Sequence, residues 1–343
     1  MKTRVLGSGK AAMEVSAVGL GCMGFSHGYG AATDDAEGIR LIRAAHEMGY
    51  TLFDTAETYG TPENPYVNEQ LVGKALAPFR NEVQIVSKFG IHFDYEHEKA
   101  PYPLHLDSRP ETIRKSVEGS LKRLGTDHID LYFQHRIDPE VEPEAVAETM
   151  AELIAEGKIL HWGVSEANGE YLRRAHAVCP VTAIENRYSM MARCHEALFP
   201  TLQELGIGFM AFSPLANGFL TGAYKKGAQT GFDKSTDYRA SMPQFTDEAI
   251  DANAQLIALI EKYAAEKDAT PAQVSLAWML AKKPYIVPIP GSRKENRLAQ
   301  NAGAADIEIS PEELASIDNA LQLIPMSNVF GGTPAANSGR KRG

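Results

Sequence analysis

The 343-residue sequence has few cysteines and no long hydrophobic segment. Its three cysteines, Cys22, Cys179 and Cys194, are widely spaced and form no C-x-x-C pattern. This spacing argues against a disulfide framework or a zinc site and favours reduced thiols in the cytoplasm. No apolar run reaches the ~18 residues of a membrane span, and the first ten residues lack the apolar core of a signal peptide. We therefore expect a cytoplasmic protein without a membrane segment.

Positive charge is also scarce. Asp plus Glu number 44 against 34 for Lys plus Arg, which gives a formal net charge of −10. This acidic balance argues against a nucleic-acid-binding surface as the main function. Hydrophobic residues make up 44% and charged residues 23%, a globular composition that excludes extensive disorder. The exception is the small, polar and basic end of the chain, and we expect residues 326–343 to form a flexible tail.

Short apolar segments alternate with amphipathic segments along the rest of the chain. Eight segments are rich in β-forming residues, and several are apolar at consecutive positions, as expected for parallel strands covered on both faces. The segments between them have helical periodicity, with caps such as Thr33 and Ser108 and terminal glycines such as Gly49 and Gly125. This alternation predicts a single (β/α)8 barrel domain over residues 1–325. The predicted strands are 17–23, 51–55, 83–88, 129–134, 159–164, 181–186, 207–213 and 285–290.

Several segments exceed the simple repeat. Residues 4–16 are expected to form a hairpin before the barrel, and two additional helices are predicted at 246–266 and 311–323. The loops 89–109 and 214–245 are longer than ordinary connections. Loops of this length are often functional.

The segment Gly19-Leu-Gly21-Cys-Met-Gly24 fits the G-x-G-x-x-G pattern of dinucleotide-binding domains. That interpretation requires a helix beginning at the third glycine and an acidic residue about twenty positions later. A loop follows Gly24 instead, and residues 40–46 contain no Asp or Glu. We therefore reject a Rossmann domain and expect the glycines to let a strand end and a loop run close to a ligand.

Four titratable side chains follow the early strands. Asp54 ends the second predicted strand and Tyr59 lies five residues further on, while Lys88 ends the third strand and His135 follows the fourth. Singly, each has an ordinary structural explanation as a turn residue, a rim aromatic, a solvated strand end or a structural histidine. The carboxyl ends of barrel strands meet on one face, where active sites are found. Their joint placement therefore favours a shared pocket.

These side chains suit the reduction of a carbonyl group. A nearby ammonium favours the phenolate, so Lys88 is expected to lower the pKa of Tyr59 from its usual value near 10. With Asp54 holding Lys88 charged, Tyr59 could donate a proton to a carbonyl oxygen as negative charge develops. A neutral His135 could orient the carbonyl. None of these groups supplies electrons, so the reaction would need a hydride donor such as nicotinamide.

The sequence resembles the aldo-keto reductase superfamily. The motifs GLGCMG, FDTAETYG, IVSKFG, WGVSE, AFSPLANGFLTG and IPGSRKENRLAQN occur in this order, together with the long segment from Ser108 to Arg136. The resemblance covers residues 4–323 and is strongest to the microbial and plant branch with QHR after the fourth strand. It implies a barrel that binds NADPH without a Rossmann domain and reduces aldehydes or ketones to alcohols. The family's catalytic residues, with tyrosine as the proton donor, correspond to Asp54, Tyr59, Lys88 and His135.

The resemblance also implies the cofactor contacts. Ser165 would bond to the nicotinamide carboxamide and Phe212 would stack on the ring. Ser292 and Arg293 would bind the 2′-phosphate after the eighth strand, where barrels commonly bind phosphate. The cofactor-binding residues implied by the motifs are Gly21, Met23, Ser165, Glu185, Phe212, Ser213, Pro214, Leu215, Asn217, Gly291, Ser292, Arg293, Arg297, Gln300 and Asn301.

Two positions depart from the family pattern. Relatives often have glutamine where Glu185 stands, and a carboxylate can accept from the carboxamide but cannot donate to its oxygen. Gly291 stands where many relatives have lysine, and Arg293 is expected to supply the missing charge. The sequence therefore predicts NADPH as the cofactor, with NADH as a second option.

Substrate and metal sites have weaker signals. Phe25, Tyr29 and Phe89 are candidates for the substrate pocket, with the packing of loops against the barrel as the alternative. The loop 89–109 holds several metal-ligating side chains whose spacing matches no familiar zinc pattern, so no metal is predicted. These side chains are His92, Asp94, His97 and His105.

Two other functions stay open at this point. Some relatives are redox-sensing subunits that bind NADPH with little turnover, although the complete set of four catalytic residues favours an enzyme. A metal-dependent barrel isomerase or hydrolase would need clustered carboxylate and histidine ligands at the strand ends. The sequence lacks such a cluster, and Asp54 and His135 are the clearest candidates. The predicted partner is a small-molecule carbonyl substrate, and the oligomeric state is not predicted.

Overall fold

The structure is a computed structural model that describes residues 1–61, 63–95, 104–227 and 231–330. Its eight-stranded parallel sheet is accompanied by two antiparallel hairpins. The strands are β1 (Thr3–Leu6), β2 (Met13–Ser16), β3 (Leu20–Gly21), β4 (Leu52–Asp54), β5 (Gln84–Phe89), β6 (Ile91–Phe93), β7 (Leu104–Leu106), β8 (Ile129–Gln134), β9 (Ile159–Ser165), β10 (Ala183–Arg187), β11 (Gly208–Phe212) and β12 (Ile286–Pro288).

The parallel strands are neighbours in the order β3, β4, β5, β8, β9, β10, β11 and β12. The two ends of this sheet meet, because Gly19 N–H donates to Pro288 O at 3.0 Å. Close contact of the backbones also requires glycine: a Cβ on Gly21 would lie 2.8 Å from Ile289 O, and one on Gly291 would lie 2.8 Å from Gly21 O. The lack of a side chain at Gly21 therefore lets the first and last strands of the sheet approach closely. The sheet is closed, and the predicted (β/α)8 barrel is confirmed.

Helices cover the outside of the barrel. A large hydrophobic cluster fills the space between sheet and helices, and a smaller one, with Leu52, Val86, Leu131 and Met210, fills the barrel itself. The α-helices are α1 (Asp35–Glu47), α2 (Val67–Leu76), α3 (Pro110–Leu124), α4 (Pro143–Ala155), α5 (Gly169–Val178), α6 (Phe199–Leu205), α7 (Asp247–Ala252), α8 (Ala254–Glu266), α9 (Pro271–Lys282), α10 (Glu295–Gly303) and α11 (Pro311–Leu323).

The predicted hairpin of β1 and β2 closes the end of the barrel where the strands begin. Leu6, Met13 and Val15 belong to the cluster that fills the barrel. Gly208 makes room for Leu6, since a Cβ there would lie 2.5 Å from Leu6 Cδ2. The Arg4 guanidinium fastens the hairpin by donating at 2.6, 2.7 and 3.0 Å to the carbonyls of Leu280, Lys283 and Ile286. The carboxyl ends of the strands are left as the open face.

Local capping differs from the sequence prediction in three places. Asp34, not Thr33, caps α1, because its carboxylate accepts two backbone N–H groups of the first turn. The Ser108 hydroxyl does not cap α3 but accepts a hydrogen bond from Gln134 at 3.0 Å. The single helix predicted at 246–266 is broken into α7 and α8.

The loop predicted at 89–109 contains the short hairpin of β6 and β7. Register places His92 opposite His105, and their ring centroids are 5.5 Å apart. His97 lies outside the described residues. Within the ranges that the structure describes, no group of three or more His, Cys, Asp or Glu side chains is placed to hold a metal.

The described chain extends into the segment that the sequence predicted to be a flexible tail. Phe330 N–H donates to Gln244 Oε1 at 3.0 Å, and its carbonyl accepts from the Arg187 guanidinium. Residue 330 is therefore held by hydrogen bonds to Gln244 and Arg187, within the segment where a flexible tail was expected. Residues 331–343 lie outside the described residues.

Candidate active site

The structure brings the four predicted catalytic residues together on the open face. Asp54 ends β4, Lys88 lies near the end of β5, His135 follows β8, and Tyr59 lies in the loop after β4. Lys88 Nζ is 2.5 Å from Asp54 Oδ1 and donates to the Tyr59 hydroxyl at 3.1 Å. It also donates to the carbonyl of Thr55 at 3.0 Å. The rings of Tyr59 and His135 meet edge to face with centroids 5.7 Å apart.

Burial and charge together set the protonation states of these groups. Burial alone would lower the pKa of Lys88, but the negative charge of Asp54, joined by that of Glu185 when Glu185 is ionised, raises it above its usual value. Burial lowers the pKa of His135 well below its usual value, and the charges of Arg136 and Lys88 add to this effect. The lysine is therefore charged and the imidazole neutral at neutral pH, as the proposed orienting role of His135 requires.

Lys88 lowers the pKa of Tyr59, as expected, but not below its usual value. Burial raises the pKa of Tyr59 well above its usual value, and the nearby Lys88 opposes this effect without cancelling it. The phenolate loses its hydration in the buried site, and this cost exceeds the attraction of one ammonium. Tyr59 consequently keeps its proton at neutral pH and stays available as a donor.

Glu185 is a second carboxyl beside Lys88. Its Oε1 lies 3.4 Å from Lys88 Nζ, on β10, and the side chain is 2% exposed. Its Oε2 is buried and accepts no hydrogen bond from the described residues. Burial and the neighbouring charge of Asp54 raise the pKa of Glu185 to about 8, while Lys88 and Arg136 oppose the rise. Lys88 therefore lies among two carboxyls and one phenol.

A buried ionic cluster behind the site was not predicted from the sequence. Arg123 Nε is 2.5 Å from Glu69 Oε2, and Arg123 Nη2 is 3.3 Å from Glu57 Oε1. Glu57 N–H donates to the carbonyl of Lys88 at 3.2 Å. Glu57 lies within the motif FDTAETYG, two residues before Tyr59, so the sequence shows an acidic residue there. Its ionic partner lies on a distant helix and could not be predicted. The cluster fixes the segment that carries Tyr59.

The predicted nicotinamide contacts lie on three neighbouring strands. Ser165 ends β9, Glu185 lies opposite it on β10, and Phe212 ends β11. The Ser165 hydroxyl donates to the carbonyl of Glu185 at 2.9 Å and accepts from Arg136 at 3.1 Å. Phe212 is partly exposed and packs on the cluster that fills the barrel. These residues border the mouth of the barrel next to Lys88.

The turn after β11 has a strained backbone. Ser213, Ala216 and Asn217 have φ values of 49°, 47° and 59°, a left-handed conformation that costs non-glycine residues roughly 1 kcal/mol or more each. Such strain is retained mainly at functional sites. Asn217 Nδ2 donates to the Tyr29 hydroxyl at 2.8 Å. The residues of this turn that the motifs implied are Ser213, Pro214, Leu215 and Asn217.

Two loops join beside this turn. Tyr29 and Asp237 form an antiparallel bridge, and Arg239, paired with Asp237 at 2.6 Å, lies over the rings of Tyr29 and Phe232. A cavity of about 460 Å³ lies between the loops, with Arg293 at its edge. The first loop is thereby tied to the long loop after β11.

The predicted adenosine end lies after β12. Arg293 donates to the carbonyls of Tyr29 and Ala31 at 2.5 and 2.6 Å. The Gln300 side-chain oxygen is buried without a hydrogen-bond partner among the described residues. Gly291 and Ser292 precede Arg293, while Arg297, Gln300 and Asn301 lie on α10.

Unpaired buried polar atoms such as Glu185 Oε2 and Gln300 Oε1 are uncommon in folded proteins. One lies beside Lys88 and the other on α10, at the two ends of the predicted cofactor path. Both can accept hydrogen bonds from a ligand. The residues present therefore fit a nicotinamide dinucleotide.

The predicted substrate contacts are only partly supported. Phe25 and Phe89 are each 1% exposed and belong to the core between sheet and helices, and Phe89 packs on Tyr132 with ring centroids 5.1 Å apart. Their packing favours the structural alternative over a role in the pocket. Tyr29 borders the cavity between the two loops, and Met23 lies in the short turn after β3.

These features define the class of protein: a (β/α)8 enzyme whose open face holds a buried lysine–aspartate pair bonded to a tyrosine hydroxyl. A family model described as the Aldo/keto reductase family matches residues 17–322. The chain belongs to this family. It is therefore an oxidoreductase of the kind that acts on carbonyl compounds with a nicotinamide cofactor.

Individual relatives agree with this assignment. The chain is 38% identical over 327 residues to "Probable aldo-keto reductase 1" from Glycine max, covering 94% of this chain and 90% of that protein. A glycerol dehydrogenase from Gluconobacter oxydans matches with a TM-score of 0.83 and 27% identity over 97% and 99% of the two chains. The holo form of an aldo-keto reductase from Bacillus halodurans matches with a TM-score of 0.72 and 26% identity over 96% and 98%. Among the described residues, no helix has the length and apolar character needed to cross a membrane.

Proposed function

We propose that this protein reduces a small aldehyde or ketone to the alcohol with NADPH, and that Tyr59 donates the proton. The observation that carries the proposal is the hydrogen-bonded series Asp54–Lys88–Tyr59. Its two distances are 2.5 and 3.1 Å, and both charged side chains are at most 3% exposed. A buried, hydrogen-bonded phenol beside a fixed ammonium is suited to stabilising charge that develops on an oxygen.

The cofactor, when bound, supplies the hydride. Tyr59 donates its proton to the carbonyl oxygen as negative charge develops there. Although burial raises the pKa of Tyr59, an alkoxide is comparable in basicity to hydroxide, whose conjugate acid has a pKa of about 15.7, so the transfer is favourable. Lys88 stabilises the phenolate that forms, and Asp54 keeps Lys88 charged and in place. Neutral His135 donates a hydrogen bond that orients the carbonyl.

Several residues of the open face would hold the cofactor. Ser165 and Glu185 would bind the carboxamide, and Phe212 would contact the nicotinamide ring. The strained turn at 213–217 would pass over the pyrophosphate. Arg293 and the neighbouring Ser292 would bind the 2′-phosphate, which favours NADPH over NADH because a guanidinium–phosphate bond is charge-assisted.

The first test is NADPH oxidation with an aromatic aldehyde, comparing the wild type with Tyr59→Phe. We expect kcat to fall by about 10²–10⁴-fold, the usual contribution of a general acid, while NADPH binding by fluorescence is retained. The matched control is Tyr66→Phe, since Tyr66 is a half-exposed residue outside the lysine site. An unchanged kcat in Tyr59→Phe would contradict the proton-donor role.

The same assay addresses the regulatory alternative. Tight NADPH binding without turnover across a panel of aldehydes and ketones would favour a redox-sensing subunit over an enzyme. Because one structural relative is a glycerol dehydrogenase, the panel includes small polyols assayed in the direction of oxidation.

A further inference from the structure

Glu185 adds a charge to the site that a glutamine would not. Asp54, Lys88 and Glu185 are 3%, 1% and 2% exposed, and Lys88 Nζ lies within 2.5 Å of one carboxyl and 3.4 Å of the other. One ammonium balances one carboxylate, so a second carboxylate leaves a buried net negative charge. Such a group usually takes up a proton instead.

The charge of Glu185 is close to the reacting atoms. Lys88 Nζ is 3.1 Å from the Tyr59 hydroxyl, so a single ammonium separates the proton donor from the Glu185 carboxyl. A carbonyl bonded to Tyr59 must receive its hydride from a donor about 3–3.5 Å away. The nicotinamide ring is therefore within range of a buried charge on Glu185, where water screens the interaction little.

The other groups around Glu185 keep one charge state across the neutral and mildly alkaline range. Lys88 and Tyr59 have raised pKa values and stay protonated, and His135, with a strongly lowered pKa, stays neutral. The remaining charged neighbours are Asp54 and the Arg136 guanidinium. Burial raises the pKa of Asp54 as well, but Asp54 lies closer to Lys88 Nζ than Glu185 does, at 2.5 against 3.4 Å, and so keeps its negative charge more readily. A proton that leaves this site as the pH rises above about 8 therefore comes from Glu185.

We propose that ionised Glu185 selects the oxidised nicotinamide cofactor over the reduced one, so that preference for the oxidised form rises with pH. The inference rests on the proposed function, since it requires the cofactor to bind beside Lys88. The oxidised ring carries a positive charge, whereas the reduced ring is neutral. Only the oxidised cofactor gains from a neighbouring carboxylate, and only when Glu185 has lost its proton.

Linkage gives the sign of the effect. A group that binds the oxidised cofactor better when deprotonated must release a proton when that cofactor binds. The ratio of dissociation constants, oxidised over reduced, should therefore fall as the pH rises through the pKa of Glu185. Both cofactors share the adenosine and phosphate parts, so titration of the 2′-phosphate and contacts to Arg293 cancel in this ratio.

The experiment measures the dissociation constants of NADP⁺ and NADPH by fluorescence titration at pH 6.5 and 9.5. In the wild type we expect the ratio to fall by about tenfold, within the usual range of coupling between sites. In Glu185→Gln it should change less than twofold. Glu57→Gln is the matched control. Glu57 is also a buried acid with a raised pKa, but it pairs with Arg123. In Glu57→Gln the ratio of the two dissociation constants should therefore still fall as the pH rises.

A second measurement needs only the wild type and does not depend on the folding of a variant. NADP⁺ is mixed with the protein near pH 8 in weak buffer containing a pH indicator. Proton release on NADP⁺ binding and none on NADPH binding is the expected result. If both cofactors bind but the ratio is constant and no proton is released, the role of Glu185 is wrong. If neither binds, the proposed function itself fails.

Discussion

At the scale of single residues, burial and charge act in opposite directions on the pKa values of Lys88 and Tyr59, and the balance differs between the two, whereas both lower the pKa of His135. For Lys88 the two neighbouring carboxyls outweigh burial, so the ammonium persists. For Tyr59 burial outweighs the ammonium, so the phenol persists. The site is therefore assembled with its proton on the donor and its positive charge beside it. Little reorganisation is then needed when charge develops on a substrate oxygen.

In the proposed function, cofactor preference depends on Arg293. It already donates to the backbone carbonyls of Tyr29 and Ala31, so its removal loosens the first loop for either cofactor. Only NADPH also loses a charge-assisted bond to the 2′-phosphate, worth about 1.5–3 kcal/mol. We expect Arg293→Ala to raise the dissociation constant of NADPH at least about tenfold more than that of NADH. An equal loss for both, measured by fluorescence, would remove Arg293 from the phosphate site.

The residues that meet at the lysine site could be predicted because strand ends converge in a barrel. What the spacing could not predict is how deeply they are buried. The pKa of Tyr59 therefore moves in the opposite direction to the expectation, and Phe25 and Phe89 are core residues where a pocket was expected. The burial of Glu185 against Lys88 was likewise invisible in the sequence.

At the scale of elements, strands with regular spacing were predictable, whereas pairings between distant loops were not. The strand predicted at 129–134 matches β8, and the helix predicted at 311–323 matches α11. The bridge between Tyr29 and Asp237 joins segments more than 200 residues apart. No local pattern encodes such a contact, because it depends on how the barrel brings the two loops together.

From the contact between these two loops we predict an effect on the rate of cofactor release. Asp237 is 6% exposed, accepts from Arg239 N–H at 3.0 Å and holds the Arg239 guanidinium over Tyr29. Asp237→Asn keeps the shape but removes the charge, and a charge-assisted bond is worth about 1.5–3 kcal/mol. If the junction retains NADPH, the dissociation of NADPH from Asp237→Asn, measured by stopped-flow fluorescence, should be roughly tenfold faster than from the wild type.

The control is Asp233→Asn, a change at an exposed residue of the same loop. Equal dissociation rates in both variants would show that the junction does not hold the cofactor.

At the scale of the whole molecule, stability and chemistry lie at opposite ends of the barrel. The proposed catalytic groups follow the carboxyl ends of the strands, while the hairpin of β1 and β2 fills the other end with Leu6, Met13 and Val15. The eight-strand alternation made this division predictable in outline. The contribution of residues 326–330 was not predictable, because their partners Gln244 and Arg187 are distant in sequence.

Because stability and chemistry lie at opposite ends of the barrel, we predict that a substitution at the hairpin end lowers the free energy of unfolding without changing the rate of the reaction. The Arg4 guanidinium is largely buried and donates to three carbonyls near the end of α9 and the start of β12, and Arg4→Met leaves all three without that donor. We expect the free energy of unfolding to fall by about 2–4 kcal/mol, since bonds to charged groups are worth about 1.5–3 kcal/mol each and do not add fully. Urea denaturation measures this loss, and kcat/KM at low urea should stay at the wild-type value.

The control variant is Arg4→Lys, which keeps the charge but lacks the planar fork that reaches several carbonyls. Its stability should lie between that of the wild type and that of Arg4→Met. A loss of kcat/KM in Arg4→Met with stability unchanged would mean that the two ends of the barrel are coupled.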